Sequence, residues 1–503
     1  MKQFSAYQTD IFNFVTNESG SGLVAATAGS GKTTTLVEIA NRMVSDPKFA
    51  GKDMLLAAFN KSIAEELTSR LPGEFTCKTL HAHGMGAITK NVSRRLKVDT
   101  YKYSNLIRDH IEGTYKIDRK SSDFYPILNM AQKLLDMVQV NLTDYTSQEA
   151  ILLVADKYDI EIKFEQVSMI LNLVTSALTK GLLQVKDGLI SFGDMVWAPT
   201  ILGMTPKQYD FLMIDEAQDL NRAQLMLVKN SMKPGGRALF VGDRSQAIYG
   251  FAGADAKSLN NIKSEFAATE MPLSICYRCP TSHIALAQEV DPTIESAPGA
   301  IEGQVLELSL ELLNKHVQVG DMILCRTTAP LVKVCYSLIK DGIPATVRGQ
   351  DIGKGLAKMA EEVFKKLPVF NGTAYYASVE TYLQVESAKI RAKFQDNKDK
   401  AELLVSNLQD RLEVLNVIYD STSPANIKDL TTSILSMFSD NTSPVMLSTV
   451  HRAKGLECDH VFILKPELMP HPLAKGAAQQ EGEMAIKFVA LTRARKTLTF
   501  ITA

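Results

Sequence analysis

At 503 residues the chain is too long for a single hydrophobic core and requires about two to four domains. Its 45% hydrophobic and 22% charged residues are those of a globular protein and exclude a disordered chain. With 55 Lys and Arg against 56 Asp and Glu the net charge is −1, which excludes a global basic field, so a phosphate-backbone partner has to be held in local grooves.

Met1-Lys2-Gln3-Phe4 does not open a signal peptide, and no apolar run nears the roughly 18 residues that cross a bilayer. The expectation is an intracellular, soluble protein of cytoplasm or nucleoid with no membrane partner. Six scattered cysteines suit a reducing compartment. Cys276-Tyr277-Arg278-Cys279 has the spacing of half a zinc site, and His81-Ala82-His83 could be offered as its partner. A structural zinc site wants two well-spaced ligand pairs, which these do not make.

In chain order, Ala6, Ile11, Phe12, Phe14 and Val15 predict a first helix carrying Gln8, whose amide is either a surface group or a reader of a purine edge. Gly22-Leu23-Val24-Ala25 predicts a buried strand and Leu36-Val37-Glu38-Ile39-Ala40 a helix. Between them, Ala26-Thr27-Ala28-Gly29-Ser30-Gly31-Lys32-Thr33-Thr34 makes a phosphate cradle. Gly29 and Gly31 let successive N–H groups point inward, and the helix dipole adds positive potential. Ala28, Ser30 and Thr34 complete the cradle, Lys32 reaches the β and γ phosphates, and the Thr33 hydroxyl holds Mg²⁺.

Met54 to Phe59 reads as a second strand, with Asn60-Lys61-Ser62 starting a helix. Phe59 is either core or a ligand contact at a strand's C-terminal end. Thr76 to His81 gives another short strand and polar turn, with Lys78 and His81 open between loop and ligand roles. From 81 to 189 helical patterns replace the βα alternation, so a helical insertion is predicted. Within it, Ser93-Arg94-Arg95-Leu96-Lys97 and Tyr101-Lys102-Tyr103 either contact a nucleic-acid strand or form a solvated face. Tyr209 to Ile214 is again a buried strand, ending in Asp215-Glu216-Ala217-Gln218-Asp219. There Asp215 is placed to hold Mg²⁺ through water and Glu216 to polarise an attacking water, or the pair is only a helix cap. Arg237 to Val241 leads into Gly242-Asp243-Arg244-Ser245-Gln246, where Gln246 could sense the γ-phosphate while Tyr249 and Phe251 face a second ligand. A second α/β region follows about residue 275, with strands near 321–325, 445–448, 460–464 and 498–501 and no second phosphate loop. It is interrupted by helices from 351 to 440, among which the charges of 387–415 suggest a solvated helix.

These stretches, with Thr449-Val450-His451-Arg452-Ala453-Lys454-Gly455-Leu456-Glu457 and Val489-Ala490-Leu491-Thr492-Arg493-Ala494, resemble superfamily 1 DNA helicases of the UvrD/Rep type across essentially the whole chain. Ala58 to Ala64 and Cys77 to His81 bring the chain nearest the F-box DNA helicase branch, without an F-box. The resemblance implies an α/β fold of two RecA-like parallel-sheet domains, 1–80 with 190–275 and 276–350 with 441–503, each holding a helical insertion (81–189 and 351–440), with ATP between them. It implies that Gln8 reads adenine, that Asp215 and Thr33 hold Mg²⁺, that Glu216 is the general base and that Gln246 senses the γ-phosphate. Arg278 and Arg493 become arginine fingers, and Gly455 and Glu457 the end of the nucleotide site, Glu457 on the ribose. Phe59, Asn60, Lys78, His81, Tyr249, Phe251 and His451 line the single strand.

The activity so implied is an ATP-driven 3′-to-5′ translocase on single-stranded DNA that opens duplex junctions. Replication or recombination proteins are its possible partners. A helicase-nuclease motor subunit and a nucleoprotein remodeller are the alternatives, and the absence of a nuclease-sized region after Ala503 argues against an intrinsic nuclease. The chain departs from the family pattern at Ala252, where arginine is common, and at Ala485, and its second insertion is short.

Overall fold

The structure, a computed structural model, describes residues 3–248, 258–365, 370–395, 398–438 and 445–502. The chain divides into two compact units, Met1–Ala26 with Gly31–Leu273, and Thr27–Ser30 with Ser274–Ala503.

The first unit is built on six parallel strands, β1 Gly22–Ala26, β2 Met54–Ala58, β3 Phe75–Thr79, β4 Tyr209–Ile214, β5 Met232–Gly242 and β6 Thr269–Leu273. They lie in the order β3-β2-β4-β5-β1-β6. Alternate residues feed two cores. Val24, Leu56, Met213 and Leu239 pack on one face, and Leu23, Leu55, Leu212 and Phe240 on the other. A parallel sheet covered on both faces favours apolar runs such as those of β1 and β2. Because β1, β5 and β4 are neighbours running the same way, their C-terminal ends come together, where open α/β sheets take their ligands.

Six helices between β3 and β4 form the insertion: α1 Leu80–Asn91, α2 Lys102–Gly113, α3 Phe124–Val140, α4 Gln148–Lys157, α5 Val167–Lys186 and α6 Phe192–Ile201. They enclose a core of their own that includes Leu134, Leu135, Val174, Leu178 and Trp197. Lys102 and Tyr103 belong to this interior, neither on a solvated face nor along a strand path. Lys102 Nζ donates to Asp194 Oδ2 at 2.7 Å and to the Gly181 carbonyl at 2.8 Å, and Tyr103 donates to Asp194 Oδ1 at 2.5 Å. Lys102 and Asp194 both have 0% side-chain exposure, and the ion pair with these hydrogen bonds is what makes their burial tolerable. Tyr101 and Arg94 remain on the surface.

The second unit repeats the plan with β7 Gln304–Ser309, β8 Met322–Cys325, β9 Ala345–Val347, β10 Val445–Thr449, β11 Cys458–Leu464 and β12 Ala494–Thr502. All are parallel, in the order β7-β12-β11-β8-β10-β9. Helices Gln350–Phe364, Gly372–Lys393, Lys398–Thr422 and Ile427–Met437 interrupt it between β9 and β10. Their core is continuous with that of the sheet: Phe364, Leu412 and Ile434 belong to one cluster with Ile323 and Leu447. The charge-alternating stretch is two helices, with Leu412 and Leu415 turned inward and Tyr375 stacked on Tyr419 at 3.8 Å between ring centres. Among the described residues, no helix is long and apolar enough to cross a membrane.

Candidate nucleotide-binding site

The loop after β1 turns on two glycines. Gly29 and Gly31 have φ of +65° and +80°, a region that costs a residue with a Cβ roughly 1–2 kcal/mol. A Cβ on Gly29 would also lie 2.7 Å from Arg278 Cβ and 2.8 Å from Cys276 Sγ. The loop is fastened by its own polar atoms: Ser30 Oγ donates to the Thr27 carbonyl at 2.8 Å, Thr27 Oγ1 to the Ser274 carbonyl at 3.0 Å, and Tyr277 N to the Gly29 carbonyl at 2.9 Å. Ala28 and Ser30 are fully buried. Gly31 then caps helix Lys32–Ser45 without a side-chain acceptor, so the first-turn N–H groups of Lys32, Thr33 and Thr34 take nothing from the cap side chain. That leaves the helix start suited to an anion.

A relay of polar side chains faces this loop from β4 and β5. Lys32 Nζ lies 4.0 Å from Asp243 Oδ2, whose side chain is fully buried. Gln246 Nε2 donates to the same oxygen, and Ser245 N to Oδ1 at 3.0 Å. Asp243 N donates to Gln218 Oε1 at 2.9 Å, and Gln218 Nε2 donates to Glu216 Oε2. The backbone before Asp243 runs close to Gln218: a Cβ on Gly242 would stand 2.8 Å from Gln218 Oε1 and 3.0 Å from its main-chain N, so a side chain there would disturb the bond to Asp243. Glu216 itself has φ +51°, a conformation non-glycine residues hold only where the surroundings impose it. Asp215, at the end of β4, is buried and accepts the Glu216 N–H at 2.9 Å. The Thr33 hydroxyl at the helix start and the Asp215 carboxylate at the end of β4 are the side-chain oxygens expected at a metal. These are hard oxygens of the kind Mg²⁺ combines with phosphate oxygens and water.

Gln8 is buried and already employed. Its Oε1 accepts Ser5 N at 3.0 Å in a capping box, and its Nε2 donates to Thr35 Oγ1 at 3.0 Å. An amide has two donors and two lone pairs, so this anchoring orients the group while retaining capacity for a ligand. Ala57, Phe59, His81, Asp215, Asp219 and Gln224 line a cleft at the ends of β2 and β4. Phe59 is 44% exposed there, which sets aside the core reading. Asn60 caps the following helix by accepting Ile63 N at 2.9 Å. Lys78 and His81 are half-buried, and loss of hydration lowers the pKa of both. Tyr249 and Phe251 lie outside the described residues, as does Ala252.

In the second unit Arg278 is clamped, its Nε donating to Glu457 Oε2 at 2.6 Å and its Nη1 to the Thr492 carbonyl at 3.2 Å. Glu457, expected on a ribose, is thereby shared with Arg495 at 3.3 Å. Arg493 is 1% exposed and donates to the carbonyls of Val489 and Leu456 and to Thr492 Oγ1. Gly455 makes the turn before Glu457 with φ +84°. His451 sits on the one-turn helix Val450–Ala453, where burial and then the Arg326 charge push its pKa down to about 4. Arg326 forks Glu483 through Nε and Nη2, at 2.6 Å for the shortest bond. Among the described residues, no three His, Cys, Asp or Glu side chains are grouped to hold a metal.

Reading the sequence by strand ends missed the linking roles of Asp243 and Gln218. Both stand in the polar runs quoted after β5 and β4, which follow the buried apolar ends of those strands. The pairing of Arg326 with Glu483 had no local signal, because the two lie 157 positions apart.

Residues 7–267 match the UvrD/REP helicase N-terminal domain, and residues 444–501 the UvrD-like helicase C-terminal domain. F-box DNA helicase protein 1 of Schizosaccharomyces pombe is 21% identical over 94% of this chain and 55% of its own length. The probable DNA helicase II homolog of Mycoplasma genitalium is also 21% identical, over 96% of this chain and 83% of its own. The ATP-dependent DNA helicase PcrA of Bacillus subtilis is 24% identical over 55% of this chain and 38% of its own. The chain therefore spans about half the length of the first of these relatives and less of PcrA.

Proposed function

The chain belongs to the UvrD/Rep helicase family, and on that premise we propose that it is an ATP-dependent DNA helicase that moves 3′ to 5′ on single-stranded DNA and opens duplex junctions. The observation that supports this most is the relay facing the phosphate loop, in which Lys32, Asp243, Gln218 and Glu216 are joined by ion pair and hydrogen bonds. In this reading Lys32 and the N–H groups of residues 28–34 bind the phosphates, and Gln8 binds the base. Thr33 and Asp215 hold Mg²⁺, which when bound neutralises charge on the phosphates. Glu216 takes the proton of the attacking water, and its strained backbone and the Gln218 bond aim its carboxylate. Gln246, attached to the same Asp243 oxygen as Lys32, reports the γ-phosphate. Arg278 and Arg493 donate to the charge that develops on it, with Gly455 and Glu457 at the ribose. Phe59, Asn60, Lys78, His81, Tyr249, Phe251 and His451 make up the strand path. Cleft walls at the ends of β2 and β4 support the part played by Phe59 and His81.

The test is strand separation of duplexes tailed at either the 3′ or the 5′ end, with ATP and Mg²⁺, beside the Lys32→Ala protein. Opening of 3′-tailed duplexes only, lost in Lys32→Ala, is the expected result. Opening from the 5′ tail overturns the polarity. DNA-stimulated ATP hydrolysis without any opening points to a translocase that remodels nucleoprotein.

A further inference from the structure

We propose that Cys276 and Cys279 form a reversible disulfide that locks Arg278, making this thiol pair an oxidation site next to the phosphate loop. Both cysteines are free and buried, and Cys279 N donates to Cys276 Sγ at 3.3 Å. The pair touches the two features on which phosphate chemistry depends. Cys276 Sγ packs so closely on Gly29 that a Cβ there would stand 2.8 Å away. Cys279 Sγ reaches the Thr492 carbonyl at 3.6 Å, the same oxygen that takes Arg278 Nη1 at 3.2 Å. Arg278 lies inside the ring that a Cys276–Cys279 bond would close. Ordinary packing among Ala28, Ile284 and Phe488 explains two buried sulfurs, but not why they meet across the arginine. Burial pushes the thiols of Cys325 and Cys335 up, to about 11 and about 12, whereas the hydrogen bond from Cys279 carries Cys276 down to about 6 and Cys279 itself goes up. That is the division between an attacking and a resolving thiol.

With hydrogen peroxide as oxidant, the Cys276 thiolate attacks one peroxide oxygen. An S–O bond forms, the O–O bond breaks and hydroxide leaves, taking up a proton as water. Cys279 then attacks the sulfenic sulfur, the S–S bond forms and the S–O bond breaks, with a second water leaving. Two thiols and one peroxide become one disulfide and two waters, and the two electrons come from the sulfurs. The bond removes the Cys279 S–H from Thr492 and fixes the backbone on both sides of Arg278. A misplacement of about 1 Å costs on the order of 10²-fold in rate, which is the loss expected for hydrolysis. That consequence rests on the function proposed above; the covalent step does not.

The experiment treats the full chain with rising peroxide, maps its peptides without reduction, and follows DNA-stimulated ATP hydrolysis before and after dithiothreitol. Cys77, half-exposed, is the reference thiol. The expected result is a peptide linked through Cys276 and Cys279, with a loss of about 10²-fold in turnover restored by reductant. Cys279→Ser should hydrolyse ATP normally and lose the reversible inhibition, with Cys279→Ala as the second variant if serine fails to fold. No linked peptide at a dose that consumes Cys77 overturns the proposal, as does a linked peptide with unchanged turnover. A linked peptide in a chain whose reduced form never hydrolyses ATP supports the disulfide and overturns the helicase reading instead.

Discussion

In the first unit the polar groups at the strand ends hold one another, while in the second the most buried arginine, Arg493, is held chiefly by the main chain. Lys32, Asp243, Gln246, Gln218 and Glu216 form one side-chain relay. Arg493 instead spends Nε and Nη1 on the carbonyls of Val489 and Leu456, at 2.9 and 3.0 Å. Arg278 is intermediate, tied to one carbonyl and to the 41% exposed side chain of Glu457. A relay transmits any one substitution to every member, whereas a side chain held by backbone keeps its place when its neighbours change. Coupling between sites should therefore be strong in the first unit and weak around Arg493.

The largest expected effect is at Arg493. Its replacement by alanine should slow DNA-stimulated hydrolysis by about 10³ to 10⁵ if it meets the developing charge, with Arg493→Lys beside it to control for the three hydrogen bonds lost. A change of twofold in a folded variant would leave Arg493 a structural residue. Next comes the insertion, where Asp194→Ala strands the buried Lys102 and should cost about 3–5 kcal/mol by denaturant unfolding. Because that insertion has a core of its own, nucleotide binding should outlast its loss. Within the relay, Glu216→Gln and Gln218→Leu, alone and together, should show a coupling of about 0.5–3 kcal/mol in turnover, while nucleotide affinity survives. Additive effects would mean that Gln218 does not aim Glu216.

Protonation provides a smaller contrast. Burial pushes His83 in the first unit and His451 in the second down to about 4. The unfolded side chains titrate near 6.5, so between about 6.5 and 4 the unfolded state binds protons that the folded state refuses. Their contribution is complete above that window and is lost as pH falls through it, at up to about 1.4 kcal/mol per pH unit for each histidine. Urea midpoints from pH 7 to 5 should show His83→Asn with the shallower slope. The smallest effect belongs to Glu457→Gln, which removes a partly exposed ion pair worth roughly 0–1 kcal/mol and should leave the melting temperature nearly unchanged. A large drop would show that Glu457 holds Arg278 structurally.

What the sequence determined by itself is what short-range chemistry determines. The strand at 22–26, the glycine turn and the helix from Lys32 were legible because apolar runs, positive-φ glycines and a helix start must follow one another within a few residues. The strand at 209–214 was legible for the same reason, its run Phe211 to Ile214 apolar before two acids. Tertiary structure alone decided which polar groups found one another. Lys102 had the look of a surface cation until Asp194, 92 positions away, closed over it, and Gln218 had no visible role until Asp243 took its carbonyl. Glu457, expected from the resemblance on a ribose, was not expected as the partner of Arg278, 179 positions earlier. Local pattern records the burial of apolar side chains, because their burial is periodic along an element. It does not record pairing, since a hydrogen bond between distant segments depends on how the whole chain folds back on itself.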